Sequence, residues 1–544
     1  MKFLQSHFSL RKACLIPVLI LIAGMIQISA QRPEYKALDW EFLESCTSIM
    51  VGRLASTDGS VMTAHSCDGN YRTWVNIVPG KKHSKGSTTK IYHGFLHNET
   101  PWDMRGVNEA GEIPQVEETY AYLNTAYPCL NEKQLAIGET TIGGRQELFN
   151  SEGLFLIENL ERLALERCTT AREAIQLIGK LVKEYGYCDR GECLTFADPK
   201  EVWHFEIFGA GPLEIGAVWA AVRIPDDHVG VSANIPRIGE LDLDNPDFYM
   251  ASENVFSVAE EMGWWDPTSG EPFKFWKAYS GRKPFSTREY FVLSAMAPSL
   301  NLTEEAKELP FSVKPDKKVS IRDVLAYYRQ TYEGTDFDMT KDLLVKKSQR
   351  SAELTKSPVA SPWMSGDMVR LLETLKPGVV DRKRTIAIAA CAYSEVLQLR
   401  DWLPDPIGGI AWFAFDNPGQ SPRIPIFAGV TELPPSFERC GQHRFRMDSA
   451  CWAFRRANRL ATVKWGRTKR HIDGAVNEFE ERAFTDLPDL EKKALEIYKA
   501  EGSNPDAKKL REYLTKYTND FARAAMHKYI ELGDQFWTMF ARDF

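Results

Sequence analysis

The sequence predicts an α+β fold, in which blocks of strands and blocks of helices are separate along the chain. Alternating, β-branched runs cluster between residues 193 and 233 and again between 385 and 415, whereas apolar residues recur at helical spacing over 151–184 and over 451–544. Such segregation is typical of sheets that pack against helices, and it disfavours alternating βαβ units. The 544 residues, 44% of them hydrophobic, are sufficient for a large elaborated domain or two packed units.

A hairpin begins the predicted fold. Residues 47–52 and 61–65 have strand-like patterns, and Asp58-Gly59 between them is a strong turn signal. The hairpin returns the segment that starts at Asp68 to the side of Cys46. Whether Asp68 shares a sheet face with Cys46 is left open by the sequence, because a register shift of one residue reverses every side chain.

The later elements follow from periodicity and from helix-start signals. Two helices are predicted over 151–184, and Thr170 and Glu173 form a capping box at the start of the second. Residues 451–544 are predicted to be helical, with a break at 502–505, and to form an extension that packs on residues 46–450. Strands are predicted at 193–197, 202–208, 217–224, 229–233, 385–392 and 410–415.

Charge and the N-terminal pattern limit the possible partners and compartments. With 67 Lys and Arg against 74 Asp and Glu, the net charge of −7 gives no attraction to nucleic acid, and none is expected as a partner. The apolar stretch 13–26 is shorter than the ~20 residues that a membrane span needs. Because basic residues precede it and small residues follow it up to Ala30, residues 1–30 are predicted to be a secretory signal. We therefore expect an exported protein, periplasmic or secreted, with no membrane span.

The cysteine count suggests an unpaired thiol in the exported chain. Ten cysteines become nine when the signal is removed, and an odd number leaves at least one unbridged in an oxidising compartment. The pairs Cys188 and Cys193, and Cys440 and Cys451, are spaced so that each could form a bridge. The sequence does not determine the connectivity.

Five segments of the chain form an ordered set of motifs. The first runs from Cys46 to Asp68 and begins Cys-Thr-Ser-Ile-Met-Val-Gly, and the others lie at 112–122, 131–144, 198–206 and 231–234. In this order they resemble the cysteine dipeptidase family (dipeptidase A type) of N-terminal-nucleophile hydrolases, which is similar to penicillin V acylase and bile salt hydrolase. The resemblance extends from Cys46 to the middle 400s. It implies an αββα sandwich, with two antiparallel sheets between helical layers, for a catalytic domain at 46–450. It also implies that residues 31–45 are a propeptide, removed when Cys46 attacks the carbonyl of Ser45.

The resemblance assigns a nucleophile and three supporting residues. Cys46 is the implied nucleophile, Asp68 holds its α-amine, Asn234 supplies the oxyanion hole, and Arg288 matches a second active-site arginine. The freed α-amine of a chain-terminal cysteine has a pKa of about 7.7–8.0, so it can serve as the base for a thiol whose pKa is near 8.5. We therefore expect a dipeptidase that cleaves short peptides through a thioester and needs neither a metal nor an organic cofactor.

Two positions depart from the family pattern. His65 stands where an arginine is expected three residues before the aspartate, and Arg72 is the substitute candidate for the cationic role. Thr141 stands where the acylase relatives have an asparagine that donates to the oxyanion. Glu139 lies two residues earlier and joins Thr141 and His65 among the candidates on the substrate side.

Two other functions remain open at this stage. The same nucleophile and oxyanion apparatus would serve an N-acyl amide hydrolase of the penicillin V acylase or bile salt hydrolase type. A non-catalytic exported protein on the same fold is the other possibility, and the histidine at position 65 is the best argument for it. A short peptide is the expected partner of the enzyme, and an oligomer is possible.

Overall fold

The computed structural model describes residues 46–281 and 285–542, and every element below belongs to that part of the chain. Its strands, in chain order, are β1 (Ser48–Val51), β2 (Val61–Asp68), β3 (Asn76–Val78), β4 (Lys81–Lys82), β5 (Thr88–His93), β6 (Asn108–Pro114), β7 (Glu118–Thr119), β8 (Tyr122–Asn124), β9 (Leu130–Asn131), β10 (Ala136–Thr141), β11 (Gly191–Ala197), β12 (Val202–Gly209), β13 (Ala217–Ile224), β14 (Val229–Ser232), β15 (Tyr249–Ala251), β16 (Ser312–Val313), β17 (Leu344–Lys346), β18 (Leu354–Lys356), β19 (Cys391–Leu399), β20 (Ile410–Phe415) and β21 (Ile424–Phe427).

The α-helices lie mainly between the strand blocks and at the C-terminal end. They are α1 (Ile157–Arg167), α2 (Ala171–Tyr185), α3 (Ser257–Glu261), α4 (Phe275–Tyr279), α5 (Thr287–Met296), α6 (Ile321–Tyr328), α7 (Gly366–Leu375), α8 (Asp405–Gly408), α9 (Ala450–Thr462), α10 (Trp465–Ala500) and α11 (Lys508–Phe540). None of these helices is long and apolar enough to cross a membrane.

Two large sheets form the centre of the fold. The first has seven strands in the order β16-β14-β1-β2-β19-β20-β21, and the second has eight in the order β15-β13-β12-β11-β10-β9-β8-β3. The neighbouring strands in both sheets run antiparallel. The α+β class and the antiparallel sheets are therefore as the sequence predicts.

The two sheets face each other, and helices contact each of them. Across the interface the hydroxyls of Thr63 and Thr195 are 2.6 Å apart, as are those of Thr140 and Ser232. Helix α2 contacts β11, β12 and β13 of the second sheet, whereas α9 and α11 contact β20 and β21 of the first. All eight residues of β2 are buried as a result. The side chains of β1, β2 and β10 thus meet in an interior from which bulk water is excluded.

Local signals in the sequence located most of the predicted elements and misplaced one, whereas strands β3–β10, β15–β18 and β21 were not predicted. The capping box at Thr170 forms as predicted, since its hydroxyl accepts from the Glu173 amide and α2 begins at the next residue. The strand predicted at 385–392 is wrong, because β19 runs over Cys391–Leu399 instead. Thr385 donates its hydroxyl to the carbonyl of Ala387 at 2.6 Å, and this local turn replaces ladder pairing in the segment before β19.

The nine cysteines of the described residues are all buried free thiols. Neither of the two bridges that the spacing allowed is formed. Cys188, for example, donates to the carbonyl of Phe155 at 3.4 Å. The odd count therefore does not single out Cys46, and its assignment depends on other observations. The predicted signal at 1–30 and propeptide at 31–45 lie outside the described residues, and the division into 46–450 and 451–544 stays a prediction.

Candidate active site

Cys46 lies at the start of the first hairpin, deep between the sheets. An antiparallel β-bridge pairs Thr47 with Ser66, so Cys46 lies opposite Cys67. Cys46 is only 2% exposed. Ser66 donates its hydroxyl to the Asp68 carboxylate at 3.1 Å, which places Asp68 on the face of β2 that carries Ser66. The register that the sequence left open thus puts the side chains of Cys46 and Asp68 on different faces of the hairpin.

The thiol of Cys46 is held in its protonated form. Burial raises its pKa well above the ordinary value, and the nearby Glu139, Cys67 and Asp68 raise it further because each would place negative charge near the thiolate. A nucleophile in this environment needs a base that removes its proton during the attack.

Asp68 forms a buried ion pair that the sequence did not reveal. The Nη2 atom of Arg384 donates to Asp68 Oδ2 at 2.7 Å, and the side chains are 5% and 0% exposed. The other carboxylate oxygen, Oδ1, has no hydrogen-bond partner among the described residues. Asp68 therefore retains one free acceptor on a carboxylate whose charge is balanced by Arg384.

Arg288 joins the nucleophile to the strand that precedes Asn234. It lies in the first turn of α5, and the residue is only 1% exposed. Nη1 donates to the carbonyl of Cys46 at 2.6 Å and to the hydroxyl of Thr47 at 2.9 Å. Nη2 donates to the carbonyl of Ala233 at 3.0 Å and to Asn234 Oδ1 at 2.8 Å. Burial lowers its pKa to about 10, with a further contribution from a neighbouring arginine, so it remains a cation at neutral pH.

Asn234 presents an oriented amide at the end of β14. Its backbone is in the left-handed region, with φ of 65°, a conformation that asparagine adopts more readily than most residues. Oδ1 accepts from Arg288, and Nδ2 donates to the carbonyl of Thr141 at 2.6 Å. An amide nitrogen carries two hydrogens, so one N–H remains for a ligand.

Glu139 and Thr141 project from β10 toward the same region. Thr141 donates its hydroxyl to Glu139 Oε1 at 3.1 Å, so that hydroxyl is already engaged with the protein. Burial raises the pKa of Glu139 to about 7, although the neighbouring Glu192, Thr141 and Cys46 side chains oppose the increase. Burial and the proximity of Glu139 raise the pKa of Glu192 well above its ordinary value. The two carboxyls are therefore adjacent buried acids, and the charge of each disfavours the charge of the other.

His65 is beside the thiol but is uncharged. Its Nδ1 is 2.5 Å from the carbonyl oxygen of Glu139, and its ring lies between those of Tyr127 and Tyr393. Burial lowers the pKa of His65 to about 4, and the hydrogen bond with the backbone of Glu139 only partly opposes the decrease. The family's arginine is thus replaced by a neutral ring.

The side chain of Arg72 is directed toward a different part of the molecule. It donates to the carbonyl of Trp74 at 2.9 Å, to Asn124 Oδ1 at 2.9 Å and to the carbonyl of Thr125. Its guanidinium stacks over the Trp74 ring at 3.4 Å and lines a cavity of about 450 Å³ that does not include Cys46. These bonds point away from the thiol, whereas Arg288 and Arg384 are the cations at the site.

One set of side chains has the composition of a metal site. Ligand atoms of Cys46, His65 and Glu139 lie within 4.8 Å of one another, and all three residues are buried. Thiolate, imidazole and carboxylate are ligands that Zn²⁺ accepts. The same three groups can equally surround a substrate carbonyl, so the set by itself does not identify a cofactor.

Two residues at this site escaped the sequence analysis for different reasons. Arg384 follows Asp68 by more than 300 positions and lies in a segment without regular structure, so no local pattern marks it. Glu192 did carry a signal, because it is an ionisable residue at the start of the fully buried strand β11. It pairs with Thr141 across the sheet, which brings its carboxyl beside that of Glu139.

Comparisons with known proteins identify the family. The family model "Peptidase family C69" matches residues 45–478, which is more than half of the chain. A probable dipeptidase of Latilactobacillus sakei is 25% identical over 468 residues, covering 78% of this chain and 86% of that protein. Dipeptidase A of Lactobacillus helveticus is 22% identical over 468 residues, covering 81% and 85%. A probable dipeptidase of Salmonella dublin is 26% identical over 425 residues, covering 73% and 83%. The chain therefore belongs to peptidase family C69, and its chemistry is that of a hydrolase.

Proposed function

We propose that this protein is an exported dipeptidase that uses Cys46 as an N-terminal nucleophile. It hydrolyses the peptide bond of short peptides through a thioester, after it has removed residues 31–45 by self-cleavage between Ser45 and Cys46. Its fold is of the αββα type found in N-terminal-nucleophile hydrolases. The names of the family relatives, which are dipeptidases and probable dipeptidases, support the reaction.

One observation supports the proposal: the imidazole beside Cys46 is too weak a base to take the thiol proton, which favours the α-amine that the family resemblance implies. His65 is close enough to be considered, but its pKa is about 4. Moving a proton from a thiol with an ordinary pKa near 8.5 to such an imidazole costs about 6 kcal/mol, and burial of the thiol increases that cost. An α-amine with a pKa of 7.7–8.0 reduces it to about 1 kcal/mol. Asp68, whose Oδ1 is free, can orient that amine.

The mechanism then follows from the arrangement. The sulfur of Cys46 attacks the scissile carbonyl carbon while its proton passes to the α-amine. The carbonyl oxygen becomes an oxyanion that accepts the remaining N–H of Asn234, which Arg288 holds in place. The C–N bond breaks, the proton moves from the α-ammonium to the departing amine, and a thioester remains. Water, deprotonated by the same amine, attacks the thioester and releases the acid and the thiol.

The second oxyanion donor is not the Thr141 hydroxyl in this account. That hydroxyl donates to Glu139, and the carbonyl of the same residue accepts from Asn234. Thr141 acts instead as a positioning residue, which fixes Glu139 and the amide of Asn234 at the same time.

A substrate panel with two cysteine variants tests the proposal. We expect the exported wild-type protein to hydrolyse simple dipeptides, Cys46→Ala to lose the activity completely, and Cys67→Ala to retain it. Cys67 is the matched control because it is a buried thiol directly opposite Cys46. Hydrolysis of N-acyl amides without hydrolysis of dipeptides would favour the acylase alternative. No hydrolysis of either class would favour a non-catalytic protein.

A further inference from the structure

Two adjacent buried carboxyls, one of which lies beside Cys46, each leave an oxygen without a hydrogen-bond partner among the described residues. Glu139 and Glu192 are 1% and 3% exposed. In the antiparallel register Thr141 pairs with Glu192, and Glu139 is two residues from Thr141 on the same strand, so both glutamates project from the same face of the sheet.

Each carboxyl leaves one oxygen without a hydrogen bond. Glu139 Oε1 accepts from Thr141, whereas Glu139 Oε2 and Glu192 Oε2 have no partner among the described residues. Within 4.0 Å of the Glu139 carboxyl, the basic group that the structure describes is the imidazole of His65, whose Nδ1 is 3.9 Å from Oε2. This imidazole is neutral at neutral pH and supplies no positive charge. Burying a carboxylate without a donor is costly, so the free oxygens beside the nucleophile favour a ligand that brings its own donor.

The distance to the nucleophile restricts which ligand atom can fill the gap. A carboxylate oxygen of Glu139 lies within 4.8 Å of the Cys46 sulfur. In a dipeptide the α-nitrogen is about 2.5 Å from the scissile carbonyl carbon, since only the α-carbon separates them. When the sulfur touches that carbon, the α-nitrogen can therefore reach an acceptor about 5 Å from the sulfur with a hydrogen bond of ~2.8 Å.

We propose that Glu139, supported by Glu192, binds the free α-ammonium group of the substrate and restricts the enzyme to peptides whose residue before the scissile bond is unblocked. This inference rests on the proposed function and names its substrate class. The ammonium group of the substrate would donate to the free oxygens Glu139 Oε2 and Glu192 Oε2. In the proposed mechanism Asp68 binds the α-amine of Cys46, so the enzyme's amine and the substrate's ammonium group are bound by different carboxylates.

The pair also supplies a penalty against the alternative substrates. An N-acyl amide has an apolar group in place of the ammonium, and binding it would bury the free oxygens of Glu139 and Glu192 against carbon. Sites built to hydrogen-bond a particular donor reject analogues that lack it far more strongly than apolar pockets reject an extra methylene. The same two glutamates therefore separate a dipeptidase from an acylase on this fold.

Two substrates that differ only in the ammonium group test the inference. Alanyl-alanine and propionyl-alanine have the same scissile bond and leaving group, but the second lacks the α-amine. We expect the wild-type enzyme to show kcat/KM at least about 100-fold higher for alanyl-alanine, the effect of one charge-assisted contact. Glu139→Gln should lower kcat/KM for alanyl-alanine by about 100-fold and leave that for propionyl-alanine within a few-fold, so the preference disappears.

Glu161→Gln is the matched control, since Glu161 is a buried glutamate with two unpartnered oxygens on α1. It should leave the preference intact. An equal loss on both substrates in Glu139→Gln would overturn the inference and assign Glu139 to the chemistry or the fold. If that variant does not fold, the wild-type comparison still decides, because equal rates on the two substrates contradict the inference. If the wild type cleaves neither substrate, the proposed function fails and the inference fails with it.

Discussion

Replacing Asn234 by aspartate removes the proposed oxyanion donor with little change in shape. The residue keeps its left-handed backbone, because aspartate also tolerates positive φ, and Oδ1 keeps its bond from Arg288 at 2.8 Å. The change eliminates both N–H groups of the amide. One of them donates to the carbonyl of Thr141 at 2.6 Å, and the other is the one assigned to the substrate oxyanion.

The magnitude follows from these two losses. Removal of one oxyanion donor lowers kcat by about 10² to 10³, or about 2.7–4 kcal/mol of transition-state stabilisation. The bond to Thr141 is lost at a cost of about 1–3 kcal/mol in stability, whereas the pairing of Arg288 with a carboxylate is stronger than with an amide. These contributions oppose each other, so we expect the free energy of unfolding to change by no more than about 2 kcal/mol.

The assay measures kcat and KM for one dipeptide together with urea unfolding of the same preparations. The decrease should appear in kcat, with KM nearly unchanged, because the donor acts on charge that develops in the transition state. Asn301→Asp is the control, since Asn301 also has a left-handed backbone but is exposed at the end of a short turn. A kcat for Asn234→Asp within about fivefold of wild type would refute the assignment.

Three further predictions concern the neighbours of Cys46. The pKa of His65 is about 4 in the folded protein and near 6.5 in the unfolded chain, so the unfolded chain binds more protons between pH 4 and 6.5. The free energy of unfolding therefore decreases by up to about 3 kcal/mol as the pH falls through this window. Urea unfolding of His65→Gln should show a shallower decrease. Equal slopes in both proteins would contradict this. Arg384→Met leaves the Asp68 carboxylate buried without its cation and should cost about 3–5 kcal/mol, with a smaller combined loss when Asp68→Asn is added; strictly additive losses would show that the pair is not coupled. Zn²⁺ should inhibit reversibly through Cys46, His65 and Glu139, and His65→Gln should require a higher zinc concentration for the same inhibition; an unchanged inhibition curve would mean that zinc binds elsewhere.

Only the elements with strong local signals could be predicted from the sequence, and the strands β3–β10 were not among them. The capping box at Thr170 marks a helix start. Asp58-Gly59 indicated the connection between β1 and β2, although the loop from Val51 to Val61 is longer than a two-residue turn. The strand predicted at 385–392 was wrong because buried apolar residues there pack in a turn beside Asp68, and apolar content alone does not distinguish a packed turn from a strand.

The candidate site was predictable only where the resemblance supplied the residues. It named Cys46, Asp68, Asn234 and Arg288, which contact one another or lie close together. The cation beside Asp68 was not predictable, because Arg384 is brought there by the first sheet from a distant part of the sequence.

Determination of the mature N-terminus tests the central claim most directly. The full-length gene product would be expressed as wild type and as Cys46→Ala, and the intact mass and N-terminal sequence of both would be measured. We predict that the wild-type chain begins at Cys46 and that the variant retains residues before it, because cleavage requires the sulfur of Cys46. An active wild-type enzyme that begins at Gln31, or at any residue before Cys46, would contradict it, since the α-amine that serves as the base would then not exist.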